Sequence, residues 1–144
     1  MNWKQEAKEE LRNYERLKMS LQNIMGRIQS IEEQKFSLKS SSDDTPVQGG
    51  GCKYEDRLLN LVVEQERLKH TYKANKLRVS LIEKGLAALN DIERTVITEF
   101  STSKACTAVD IISEKTGYER AQIYRIYDSA LYKFTIAEYG IPEF

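Results

Sequence analysis

Proline and glycine are scarce, two and seven in 144 residues. A sandwich or barrel of short strands needs a turn signal every ~8–12 residues, so that class is excluded. Cysteine is scarcer still: Cys52 and Cys106 stand far apart, and His70 is the sole histidine. Neither a disulfide framework nor a zinc site is therefore expected, and no cofactor is expected. No apolar run approaches the ~18 residues of a membrane span. The amino end, Met1-Asn2-Trp3-Lys4-Gln5-Glu6, has no apolar signal core. An excess of one charge is missing too. Twenty-two acidic side chains balance 22 basic ones, which excludes a polybasic histone-like protein and an acidic solvating tail. The expectation is a soluble, cytoplasmic protein with no membrane partner. The length allows one domain, or one small domain on an extended arm. No catalytic triad, carboxylate pair or metal cluster can be assembled, and Gly49-Gly50-Gly51 is not followed by Gly-Lys-Ser/Thr. Neither an enzyme nor a small-molecule substrate is expected.

What the chain does have is heptads. Ala7, Tyr14, Leu17, Leu21, Ile24, Ile28, Ile31 and Leu38 recur at steps of three and four, the a and d positions of an amphipathic helix over roughly residues 3–38. Glu10 and Lys35 break the pattern, and Leu11 and Met25 widen it to the e position. Such a rod, about 50 Å long, cannot bury its stripe alone. The segment from Ser40 to Gly51 holds one proline and three glycines and reads as the one linker, a hinge or a docking element. The heptad then resumes from Tyr54 through Leu58, Leu61, Leu68, Tyr72, Val79, Ile82, Leu86 and Leu89, with Gln65 and Asn75 in core slots. A polar core residue either fixes register or marks a seam that faces water there. Two matched helices around one linker predict a hairpin within the chain, with further dimerisation; arms that pair between two copies are the alternative.

From Asn90 the pattern shortens. Asn90-Asp91-Ile92-Glu93 is a capping box opening a helix through Ile92, Val96, Ile97 and Phe100. Ser101-Thr102-Ser103 stops it, and Thr107 is expected to cap a helix through Val109, Ile111 and Ile112. Gly117 ends that helix. A longer one runs from about Glu119 to Tyr139, closed by Gly140 and Pro142. Ser113, Gly117 and Ile123 have helix-turn-helix spacing, with Ile112, Tyr118, Ile123 and Ile126 as the wedge between the helices. The outward face of the second helix is then Glu119, Arg120, Ala121, Tyr124, Arg125 and Asp128, with Gln122 on its edge. Arg120, Gln122, Tyr124 and Arg125 are the candidates for base edges or the groove; Lys104, Lys115 and Lys133 would position phosphates. The stretch from Asp91 onward carries six basic and nine acidic residues, so affinity for DNA should be modest and sensitive to salt. Tyr127 and Tyr132 should pack the domain, His70 should lie on a solvated surface, Cys52 should be an ordinary reduced thiol, and Cys106 should be half-buried beside the cap. The expected organisation is an amino-terminal coiled-coil helix (1–39), a linker (40–53), a second long helix (54–89) and a helix-turn-helix domain (90–144). The fold class is all-α.

The run Leu89-Asn90-Asp91-Ile92-Glu93-Arg94-Thr95-Val96-Ile97, the helix-turn-helix, and Ala130-Leu131-Tyr132-Lys133-Phe134 together resemble region four of bacterial sigma factors. Thr45-Pro46-Val47-Gln48-Gly49-Gly50 followed by Tyr54-Glu55-Asp56-Arg57-Leu58 resembles small phage late-transcription regulators of the ArpU and RinA kind. The resemblance spans roughly residues 43–139. It departs at Ser101-Thr102, where that family carries an aromatic or aliphatic residue, and at Thr116, where an aliphatic residue is usual in a helix-turn-helix. It implies a dimeric transcription regulator of phage or prophage late genes that binds double-stranded DNA near a promoter, with contacts to host RNA polymerase. The alternative is a coiled-coil interaction protein whose sigma-like domain binds polymerase or another regulator without DNA.

Overall fold

The computed structural model of the protein describes residues 2–42 and 51–140. Five helices follow in order: α1 (Trp3–Ser42), α2 (Gly51–Ala87), α3 (Asp91–Thr102), α4 (Ala105–Thr116) and α5 (Arg120–Tyr139). Among the described residues there is no strand, so the all-α class holds. Both long helices extend toward the linker beyond the sequence expectation, through Ser42 and from Gly51. Continuing a formed helix adds one hydrogen bond per residue, and a few serines cost it little. The Gly49-Gly50 part of the linker, and with it the choice between hinge and docking element, lies outside the described residues. So does Pro142. The chain divides into two compact units, residues 17–77 and residues 1–16 with 78–144.

In the unit of residues 17–77, α1 and α2 pair antiparallel, as a hairpin requires. Asn75 Nδ2 donates to Ser20 Oγ at 3.2 Å, while Gln65 reaches the far part of α1. Ile24, Ile31 and Leu68 are the buried seam, with Ile28, Leu61 and Tyr72 packed against it. Gln65, only 4% exposed, settles the question of the polar core slots. Its Nε2 donates to Glu32 Oε2 at 2.8 Å and to the Ile28 carbonyl at 3.4 Å, and its Oε1 accepts from Lys35 Nζ at 3.0 Å. The slot faces α1 rather than water, and Lys35, a break in the α1 heptad, is its partner. The Gln65 amide, then the Lys35 ammonium, hold the Glu32 carboxyl below its ordinary value. Met25, by contrast, is exposed; at the e position the two-helix seam does not reach it.

In the unit of residues 1–16 and 78–144, α3, α4 and α5 pack on one another. Val96, Val109, Ile112 and Ile123 form the buried centre, rimmed by Phe100, Tyr118, Tyr124, Ile126 and Tyr127. The rest of α5 buries Ala130, Leu131, Phe134 and Thr135 completely. The start of α1 and the end of α2 enclose this part of α5. Trp3 meets Tyr139 with ring centroids 5.2 Å apart, and Lys4 pairs with Asp128 at 3.3 Å. Tyr14 donates to Glu83 at 2.9 Å, and burial together with that bond pushes its hydroxyl up to about 12. The tightest approach is at Gly85, where a Cβ would stand 2.7 Å from Cε2 of Phe134. No residue but glycine fits there without moving a ring that is itself fully buried.

Gly85→Ala should therefore destabilise the protein by ~1–3 kcal/mol through overpacking, although alanine favours helix. Chemical denaturation checks this. Adding Phe134→Leu to Gly85→Ala should cost less than the sum of the single changes, because both act on one contact.

Candidate nucleic-acid interface

The turn between α4 and α5 is built by backbone chemistry. Gly117 adopts φ 74°, the left-handed conformation that ends a helix, and its N–H donates to the Ser113 carbonyl at 2.8 Å. Ile112 and Ile123 meet beyond it, both fully buried, with Tyr118 and Ile126 against them as the spacing requires. Thr116 stands where an aliphatic residue is usual and contributes differently. Its hydroxyl donates to the Ile112 carbonyl at 2.7 Å and accepts the Tyr118 N–H at 3.3 Å, so it staples the turn instead of filling the core. Ahead of the turn the capping box is complete. Asn90 Oδ1 accepts the Glu93 N–H at 2.8 Å, and Glu93 Oε1 accepts the Asn90 N–H at 3.4 Å.

Two expectations about α4 fail. Its cap position is Lys104, with extended backbone and no side-chain cap, so Thr107 lies inside the first turn rather than before it. The Lys104 carbonyl accepts the Ala108 N–H at 2.9 Å, which starts the helix three residues early. Cys106 is consequently exposed rather than half-buried. At Ser101 and Thr102 the hydroxyls donate back to the Ile97 and Thr98 carbonyls, and the aromatic packing there comes from Phe100.

The candidate site residues fall into four groups. Gln122 and Arg125 lie exposed on α5 and line an open groove of about 340 Å³ with Asn90, Ile92, Glu93, Tyr118, Ile126, Ser129 and Lys133. Among the described residues no acidic side chain pairs with Arg125. Arg120 is exposed as expected but leans on Tyr124, and Tyr124 belongs elsewhere. Tyr124 is half-buried, edge-on to Phe100 at 5.5 Å, and the Arg120 guanidinium lies over the Tyr124 ring at 5.7 Å. Tyr124 thus sits on the core-facing flank of α5 rather than its outward face. Lys104 is exposed at the amino end of α4. The other two lysines are engaged within the domain. Lys115 pairs with Glu99 at 3.2 Å, and Lys133 with the buried Glu93 at 3.1 Å, tying α5 to the capping box.

Ser129 and the Asn90–Ile92 rim went unnoticed in the sequence. Ser129 was findable, since it follows Arg125 by four residues and Gln122 by seven and so shares their face. Tyr127 stacks on Phe100 at 4.2 Å as expected, and Tyr132 is 42% exposed. His70 is exposed. The side chain of Cys52 lies outside those described. Among the described residues no cluster of histidine, cysteine, aspartate or glutamate could hold a metal ion, and no helix is long and apolar enough to cross a membrane. Comparison with family models, curated proteins and solved structures returned no match.

The strongest electrostatic perturbation is at the other end of α5. Glu138 faces Glu10, the other break in the α1 heptad. Burial first, then a hydrogen bond to Glu10 and its charge, push the Glu138 carboxyl well above its ordinary value, with Arg78 opposing. Burial and the same two glutamates push Tyr139 up as well. A carboxyl raised on folding stabilises the fold fully below the unfolded value of 4.5 and loses that contribution as pH rises through the raised value. Glu138→Gln keeps a donor for Glu10 and cannot ionise. It should raise the melting temperature at pH 8, with the gain shrinking toward zero near pH 4, as thermal denaturation across that range would show.

Proposed function

We propose that this chain is a sequence-specific, double-stranded-DNA-binding transcription regulator that reads its site with the exposed face of α5 and acts near a promoter with RNA polymerase. On the resemblance to phage late-transcription regulators, the genes are late genes of a phage or prophage, the cell compartment is the host cytoplasm, and the active form is a homodimer. The observation that carries the reading is the pair Gln122 and Arg125. Both are exposed on the first two turns of the second helix of a helix-turn-helix, beside an open groove, and Arg125 has no acidic partner among the described residues. Arginine and glutamine present bidentate donors and acceptors that match guanine and adenine edges in the major groove. Lys104, at the amino end of the first helix, is placed as such helices are when they cross the phosphate backbone. Arg120 and Tyr124 support the start of α5. Lys115 and Lys133 would have to exchange Glu99 and Glu93 for phosphates.

That exchange favours a second reading, in which the same domain binds polymerase or another regulator without DNA. Arg94, Lys115 and Lys133, three of the six basic residues after Asn90, already pair with Asp91, Glu99 and Glu93, against nine acidic residues in all.

A gel-shift titration against fragments of the protein's own genomic neighbourhood, with and without RNA polymerase, separates the two. Arg125→Ala should weaken binding to the preferred site by ~1–3 kcal/mol and leave non-specific binding nearly unchanged. Lys104→Ala should weaken both alike and lower the salt slope by about one phosphate contact. A wild-type protein that forms no salt-sensitive complex, even with polymerase, would leave the second reading standing.

A further inference from the structure

The outer face of α2 carries apolar side chains that the hairpin does not use. Within residues 17–77, Leu59, Val63 and Leu77 are 60%, 59% and 62% exposed. Single exposed leucines need no explanation, but these three stand on one heptad frame. Leu59, Val63, Glu66, His70, Lys73 and Leu77 follow at steps of four, three, four, three and four, all exposed. Each lies two residues from a member of the hairpin seam (Leu61, Gln65, Leu68, Tyr72, Asn75), about 160° away around the helix. The helix therefore has a second seam on the side opposite α1.

We propose that this second seam pairs antiparallel with the same seam of a second copy, and that it is the homodimer interface. The chemistry of the layers selects both occupant and direction. In an antiparallel coiled coil each a residue meets a d residue of the other helix. A two-fold axis level with Leu68 brings Leu59 against Leu77 of the second copy, Val63 against the aliphatic stem of Lys73, and Glu66 against His70. All the layers on this frame are then complementary. Parallel pairing would instead set Glu66 against Glu66 and Lys73 against Lys73. Near the axis, Arg67 and Lys69 would approach their own copies, but each already has a carboxylate, Glu64 at 2.6 Å and Glu66 at 3.6 Å. A closed, isologous contact of this kind ends at two chains. With one leucine layer at each end, the dimer is a weak one that forms with rising concentration.

The inference takes up the dimer of the proposed function but is tested without DNA, so a failure of either leaves the other to be judged separately. Light scattering on the full chain from ~1 to ~100 μM should show a monomer–dimer equilibrium, and Leu59→Glu should raise its dissociation constant by at least about tenfold. Circular dichroism should show the variant fully helical, since the position is exposed. Direction is read by cross-linking. A Leu59→Cys chain mixed with a Leu77→Cys chain, each also carrying Cys52→Ser and Cys106→Ser, should form the mixed disulfide under mild oxidation, and neither should cross-link efficiently to itself. A chain that stays monomeric throughout, a dimer indifferent to Leu59→Glu, or a Leu59→Cys chain that cross-links efficiently to its own kind would each overturn the proposal.

Discussion

Where α2 crosses α5 there is room for a hydrogen on Gly85 and nothing larger, because the Phe134 ring fills the space. That contact ties the carboxy-terminal half of α5 to the end of α2. Alanines at positions 7, 108 and 130 are also fully buried. Close packing resists even one added methylene. Held at Phe134, α5 projects its first turns from a fixed base, and those turns carry Gln122 and Arg125. The first turns are held as well, by Ile123 against Val96, Val109 and Ile112, so both halves of this 20-residue helix are anchored.

The polar residues of the long helices follow a consistent logic. Buried polar groups are tolerated when their hydrogen bonds are met and costly when they are not. Gln65 meets that condition through Glu32, Lys35 and the Ile28 carbonyl, and so specifies the register of α1 against α2 in a way an aliphatic residue would not. Glu10 and Glu138 form the opposite case, two acids side by side that are comfortable only when one keeps its proton.

Electrostatics also separates the residues that could touch DNA from those that hold the domain together. The carboxy-terminal domain is net acidic, yet its acids are not spread evenly. Glu93, Glu99 and Asp128 are occupied by Lys133, Lys115 and Lys4, and Arg125 is left without such a partner among the described residues. A basic residue with no internal partner breaks no ion pair on meeting a phosphate or a base edge, so the count of charges understates what the face of α5 can do.

Much of this was legible from local pattern. The heptads name the buried stripe of α1 and α2 nearly residue by residue, the Asn90–Glu93 box and Gly117 mark where helices begin and end, and Ile112 with Ile123 marks the wedge. These are short-range effects: side-chain periodicity, unsatisfied N–H groups at a helix start, backbone freedom at a turn. What depends on distant neighbours was not legible. Glu10 and Lys35 looked like flaws until Glu138 and Gln65 stood opposite them. Nothing local to Gly85 signals its contact with Phe134, which comes from 49 positions along the chain. Tyr124 and Arg125 are adjacent in sequence, and only the packing of Phe100 against one of them decides which is core and which is free. Sequence by itself determined the helices and their apolar faces, because those are written in spacing. Tertiary structure alone decided which charges are engaged inside the fold, because an ion pair depends on where two separate helices bring their side chains.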